Sequence, residues 1–432
     1  MSNKHVSLYR KWRSQSLPEI IGQEFAVKTL TNALTNGKIA HAYLFSGPRG
    51  TGKTSLARIL AKSVNCLKNG ISVNPCQECE SCKSITDGTS LDVMEIDAAS
   101  NRGVDDIRQL RERVKFTPVK SRYKVYIIDE VHMLTGEAFN ALLKTLEEPP
   151  EHIIFIMATT EPHKIPITIL SRVMRFDLKR IPTEQQITLL RKISDSEGID
   201  ITDLALHKLA VQSNGSLRDS ESMLDQIASF STGKIDEDEV SSLLGIMSEE
   251  FLSNLLSEIS KGNAKESIEL IRNAYKNGKD PGQIVNDFLI FIHVMILKKI
   301  GVSTKELVSE YAISEDIIDK TSDFVEFSKL RDLEISLRET SGSMKYAFSP
   351  LATLEMAVMD LIDMVKPRKS VDATTQTPVQ NPAQKSESVK IATAIPENKP
   401  GKRLNPFNKQ NPSQLLMEHF LKNLKTLQRD VK

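Results

Sequence analysis

The stretch GPRGTGKTS at residues 47–55 follows the apolar run AYLFS and precedes a helical pattern, so it fits G-x-x-x-x-G-K-[ST] in the setting that this spacing requires. Gly47, Pro48, Arg49, Gly50, Thr51 and Gly52 form a loop whose backbone N–H groups can close on phosphate oxygens, because glycine leaves the backbone uncovered. Lys53 then reaches the β- and γ-phosphates of a nucleoside triphosphate, the Thr54 hydroxyl ligates Mg2+, and Ser55 leads into the helix. Such a site also needs an acidic residue at the end of a buried strand, and VYIIDEVH supplies one. Asp129 is expected to hold Mg2+ through water, and Glu130 to orient or deprotonate an attacking water. His132 is expected to serve in coupling or packing, since phosphoryl transfer rests chiefly on positioning and electrostatics.

All four cysteines of the 432 residues lie close together, Cys66, Cys76, Cys79 and Cys82, in the order C-x9-C-x2-C-x2-C. The first residues, MSNKHVSLYRKWRS, contain no apolar signal region, so the cytoplasm is the expected compartment; thiols stay reduced there and disulfides are disfavoured. Four thiolates with two tight spacings suit a tetrahedral Zn2+ at about 2.3 Å per sulfur, which leaves no position for water and makes the metal structural. An iron–sulfur cluster is the alternative, but Cys82 is followed by KSITDG, without the usual C-x3-C-P completion.

Several elements must position these groups. HAYLFSG, KVYIIDE and HIIFIMATT read as short buried strands, and LDVMEID as a further one. Between them TSLARILAKS, VDDIRQLRERVKF and EAFNALLKTLEEPP have helical spacing, the last stopped by Pro149 and Pro150. Alternation of this kind predicts a parallel sheet covered on both faces, an α/β domain over residues 1–180 with the cysteine insertion at 64–85. Residues 181–243 and 244–365 read as two all-α domains, separated near VSSLLGI; Phe288 to Leu297 is apolar nearly all round and is expected to be buried. Residues 366–412 hold seven of the 18 prolines and few large apolar residues, which predicts a flexible linker, and 413–432 regains amphipathic helical spacing. The net charge of +1 places any nucleic-acid contact on a local basic lining. No run of about 18 uncharged apolar residues occurs, so no membrane partner is expected.

RKWRSQSLPEIIGQEFAVKTL, HAYLFSGPRGTGKTS, EIDAASNRGVDDIR, KVYIIDEVHML, FNALLKTLEEPPEHIIFIMATTEPHKIP, ILSRV and NGSLRDSESMLDQ occur here in sequence. In that order and spacing they resemble the gamma/tau family of bacterial DNA polymerase III, the AAA+ ATPases that drive sliding-clamp loading. The resemblance is dense over residues 6–245. It implies ATP with Mg2+ as the nucleotide, an AAA+ domain, a lid, a collar and a structural Zn2+. It further implies that Thr160, or else Thr159, senses the γ-phosphate, that Arg218 reaches the nucleotide from the lid, and that Arg172 is an arginine finger offered in trans. The family usually has Cys after that arginine, where this chain has Val173. Leu8, Tyr9, Arg13 and Ile21 are candidates to hold the base, and Trp12 is expected in the core. Ser100, Asn101 and Arg102 are expected at a helix start that favours anions, with Arg102 tracking DNA phosphates. The implied partners are the delta and delta prime subunits, further gamma/tau copies, the sliding clamp, primer–template DNA, and polymerase or helicase through the C-terminal tail. The implied place is the cytoplasm, on the nucleoid at replication forks. Rival readings are a different AAA+ DNA-processing motor and a loader subunit that keeps the fold without hydrolysing ATP; LEEPPEH and the cysteine insertion argue against the first, and intact Lys53, Thr54, Asp129 and Glu130 against the second.

Overall fold

Residues 6–365 are described by a computed structural model. Five strands, β1 (Ala42–Ser46), β2 (Val93–Asp97), β3 (Lys124–Asp129), β4 (Ile153–Thr159) and β5 (Met174–Asp177), form one sheet in the order β2-β3-β4-β1-β5. Every neighbouring pair is parallel. The register sets Ser46 against Thr159 and Ile128 against Met157, so the carboxyl ends of β1, β3 and β4 open at one level. Ligands of open α/β sheets bind at this edge. β5 carries no apolar run, since only Phe176 of MRFD is buried, and for that reason sequence pattern alone does not mark it.

Around the sheet lie α1 (Leu8–Lys11), α2 (Glu24–Thr35), α3 (Lys53–Asn65), α4 (Glu80–Asp87), α5 (Val104–Val114), α6 (Gly136–Glu147) and α7 (Ile167–Leu170). One core joins α2 and α3 to Tyr43, Phe45, Ile127 and Ile156; another joins α5 and α6 to Leu44, Tyr126, Ile128 and Phe155. Both faces of the sheet are thus covered, as the near-continuous apolar strands require.

α5 starts later than its sequence suggests. Gly103 is the N-cap, the Asp106 carboxylate accepts from the Gly103 N–H at 3.1 Å, and Ser100 and Asn101 turn back onto Asp97. The expected anion-favouring start is therefore corrected: Asp105 and Asp106 occupy the first turn, and Arg102 precedes it, exposed.

A helical layer follows, with α8 (Thr183–Glu197), α9 (Asp203–Gln212), α10 (Leu217–Phe230) and α11 (Glu237–Leu243) around Leu190, Leu206, Leu209, Leu224 and Ile227. α12 (Glu249–Lys261), α13 (Ala264–Lys276), α14 (Pro281–Lys299), α15 (Thr304–Tyr311), α16 (Glu315–Thr321), α17 (Phe327–Met344) and α18 (Pro350–Val365) share a separate core. α14 has the length and apolarity of a membrane span, yet Phe288, Phe291, Ile292, Val294 and Met295 are packed in that core with Leu330, Leu333 and Leu337; between Phe288 and Leu297 only Ile290 is exposed. The linker expected at 366–412 and the helix expected at 413–432 lie outside the described residues.

Candidate functional site

α3 begins at the end of the phosphate loop, with Gly52 as its N-cap in a left-handed conformation (φ 100°). Gly50 (φ 75°) is required by contact as well as by backbone: a Cβ there would lie 1.8 Å from Ser216 Oγ, because the start of α10 packs directly on the loop and Leu217 N–H donates to the Gly50 carbonyl at 3.1 Å. Lys53 is 6% exposed and donates to the carbonyls of Gly47 and Pro48 at 2.9 and 2.8 Å. Burial lowers its pKa, while Glu130 and Asp129 act in the opposite sense.

The Thr54 hydroxyl donates to Asp129 Oδ2 at 2.9 Å, and the Glu130 N–H to Asp129 Oδ1 at 2.9 Å. The Thr54 hydroxyl and the Asp129 carboxylate, oxygen donors of the kind that suit Mg2+, thus stand together. Glu130 has φ 47°, which swings its side chain off the strand line; Thr160 holds it there, donating N–H and Oγ1–H to Glu130 Oε2 at 3.2 and 3.0 Å. Thr159 faces elsewhere. Its buried hydroxyl accepts from the Glu161 N–H and lies 3.0 Å from His132 Nδ1, so Thr160 is the threonine in contact with the acidic pair. His132 also approaches Glu130 (3.3 Å) and Glu161 (3.4 Å), which places it as a strut behind Glu130.

A cavity of about 800 Å³ opens from loop residues Arg49 to Ser55 and runs between the N-terminal segment and the lid helices. Tyr9, Arg13, Ile21, Asp129, Glu130 and Arg218 line it. Leu8 does not; it is buried in the core of α8–α11, its N–H on Asp225, so the structure places it behind the wall. Trp12 is only half-buried, lines the cavity and donates its indole N–H to Glu197 at 2.8 Å. Arg218 lies over the Tyr9 ring, 5.1 Å from its centroid, at the junction of α1 and α10. Glu221, one helical turn on, lines the same cavity and is 6% exposed; burial pushes its pKa up to about 8, against the attraction of Arg13. Glu221 lies within NGSLRDSESMLDQ without a role of its own there, and Gln185, which lines the same cavity, lies in none of the recognised stretches. The one signal was the three-residue spacing from Arg218, which puts 218 and 221 on one helix face.

Arg172 is outside this cavity. It lies after α7, where it donates to Thr168 O at 2.7 Å and pairs with Glu147 at 2.7 Å at the exposed end of α6. The four cysteine Sγ atoms all lie within 4.8 Å of one another. A tetrahedral ion with sulfur bonds of about 2.3 Å needs edges of about 3.8 Å, so the cluster fits with small adjustment. Cys66 and Cys82 are buried, and the N–H groups of Asn69, Cys76, Cys79 and Cys82 point at sulfurs at 3.3–3.4 Å, as thiolate ligands require.

Three family models match in series: "DNA polymerase III, delta subunit" over residues 22–182, "DNA polymerase III clamp loader subunit, ATPase lid domain" over 186–233, and "DNA polymerase III subunits gamma and tau domain III" over 235–374. DNA polymerase III subunit gamma of Buchnera aphidicola is 37% identical over 364 residues, which cover 83% of this chain and 99% of that protein. The chain belongs to the DNA polymerase III gamma/tau family. Its gamma/tau relatives include subunit tau of Bacillus subtilis, 43% identical over 83% of this chain and 63% of that protein, and subunit tau of Escherichia coli, 44% identical over 66% and 44%. The chain therefore spans less than two thirds of these tau subunits. The sheet with its lid is the AAA+ architecture of the gamma/tau family, and α12–α18 fall within the match to gamma and tau domain III.

Proposed function

We propose that this chain is an ATP-hydrolysing motor subunit of a clamp loader, with residues 1–180 as ATPase domain, 181–243 as lid and 244–365 as collar. The observation that carries this reading is the contact of the phosphate loop with the acidic strand end, Thr54 on Asp129 at 2.9 Å beside Glu130 and a buried Lys53.

Residues 47–55 cradle the triphosphate and Lys53 turns from its carbonyl partners to the β- and γ-phosphates. Thr54 directly and Asp129 through water would hold Mg2+, which would supply charge neutralisation on the phosphates. Glu130, once released by Thr160, accepts the proton of a water whose oxygen bonds to the γ-phosphorus. The bond to the β,γ-bridging oxygen breaks, leaving ADP and phosphate. Tyr9, Arg13, Ile21 and the lid close over the base and ribose, and Arg218 moves from Tyr9 to the phosphates. Arg172 leaves Glu147 to complete the neighbouring subunit's site, its planar fork matching phosphoryl oxygens. The cysteine cluster holds a structural Zn2+. Partners are the delta and delta prime subunits, further gamma/tau copies, the clamp and primer–template DNA, with Arg102 on its phosphates, in the cytoplasm at the fork.

An assembly that mixes Arg172→Ala copies, each keeping its own nucleotide site, with wild-type copies tests the arrangement. Hydrolysis in the wild-type neighbour is expected to fall at least about 10³-fold, the usual worth of such an arginine. A full rate in that neighbour would remove Arg172 from the mechanism.

A further inference from the structure

The side chain of Gln77, within the cysteine module, bonds to Gln15 in the wall of the nucleotide cavity. Gln77 lies in the turn between Cys76 and Cys79 with φ 60°, a conformation that a non-glycine residue keeps only when its surroundings impose it. Its amide makes two long-range bonds: Nε2 donates to the Gln15 carbonyl at 2.8 Å, and Oε1 accepts from Lys62 Nζ at 2.8 Å. Lys62, 2% exposed on α3 and without an ion-pair partner among the described residues, also donates to Gln15 Oε1 at 2.6 Å. Gln15 is thus bonded by this pair at its carbonyl and at Oε1, while its own N–H and Nε2 bond within the segment, to Glu19 and Arg13, and it lines the nucleotide cavity together with Arg13 and Ser14.

We infer that Gln77 and Lys62 are positioning residues through which the metal module holds the N-terminal wall of the nucleotide cavity, so that metal occupancy sets nucleotide affinity. The inference rests on reading the cavity as the ATP site. Ligation of Cys76 and Cys79 would pin the turn on both sides of Gln77 and add to the hydrogen bonds that hold its left-handed backbone, so that loss of the metal loosens the amide's hold on Gln15 and α3. The coupling is reciprocal, so bound nucleotide slows metal loss.

Trp12 is the only tryptophan of the chain and lines the cavity, so its fluorescence reports binding of a slowly hydrolysed ATP analogue to the full-length protein. Gln77→Leu, with zinc content at the wild-type level, is expected to weaken binding about fivefold, the usual worth of such hydrogen bonds. Chelating the metal from wild type should weaken binding at least as much, while chelating it from Gln77→Leu adds less than about twofold, because both act through one contact. Glu78→Gln, which breaks only an exposed pair with Lys68 on the next residue, should bind as wild type does. Wild-type affinity in a zinc-loaded Gln77→Leu protein overturns the inference, as does an equal effect of chelation on both proteins. Failure of the wild-type protein itself to bind the analogue would overturn the ATP reading of the cavity instead.

Discussion

Lys53 donates to loop carbonyls and has no ion-pair partner among the described residues, so its charge is held desolvated where phosphate would sit. Lys53→Ala is expected to weaken nucleotide binding about 10- to 100-fold, the loss of charge-assisted bonds, with little change in melting temperature. Titration of the analogue against both proteins checks this. Glu221 gives a pH dependence. Its folded pKa of about 8 lies above its ordinary value of 4.5, so the folded chain binds more protons between those limits. Its contribution to stability is full below that window and declines as pH rises through it, by up to about 1.4 kcal/mol per unit. Glu221→Gln should therefore melt near wild type at pH 5 and above it at pH 9; equal melting at both values would contradict a buried acid. The loop and the cysteines were legible because each motif is contiguous and fixes its own backbone. Glu221, Gln185 and the Gln15–Lys62–Gln77 contacts were not, since they arise where distant segments meet.

At the scale of elements, the decisive contact is α10 against the phosphate loop. Gly50→Ala would put a methyl 1.8 Å from Ser216 Oγ at φ 75°, so either the lid start or the loop must move. A cost of about 1–3 kcal/mol is expected. A lowered melting temperature with weaker analogue binding checks it, and unchanged values for both would show that the lid does not bear on the loop. β1, β3 and β4 were readable as buried apolar runs and α3 and α6 as amphipathic helices. β5 was not, because an edge strand with one buried residue has no apolar pattern. The start of α5 departs from the sequence expectation for a different reason: Ser100 and Asn101 are good caps, but Asp97 captures both, and the cap passes to Gly103. Arg108 pairs with Asp105 in that first turn, whereas Arg102 is exposed ahead of it, so Arg102→Glu should reduce DNA stimulation of hydrolysis more at low salt than at high salt.

For the whole molecule, the parallel sheet, the two helical layers and the buried α14 followed from hydropathy alone, whereas the approach of the cysteine module to the N-terminal segment depends on tertiary contacts. One zinc per chain is expected by metal analysis, and its removal should lower the melting temperature, since metal binding to a closed four-sulfur site is also folding free energy. Iron in place of zinc would reverse the assignment. The central claim is that the sheet edge is an ATPase whose output is clamp loading. It is tested most directly by the hydrolysis rate of this chain assembled with its partner subunits, measured with and without sliding clamp and primed DNA. A rate that rises when clamp and primed DNA are both present, and is lost when every gamma/tau copy carries Lys53→Ala, is the predicted result. A rate indifferent to clamp and DNA, or one that survives Lys53→Ala, would contradict it.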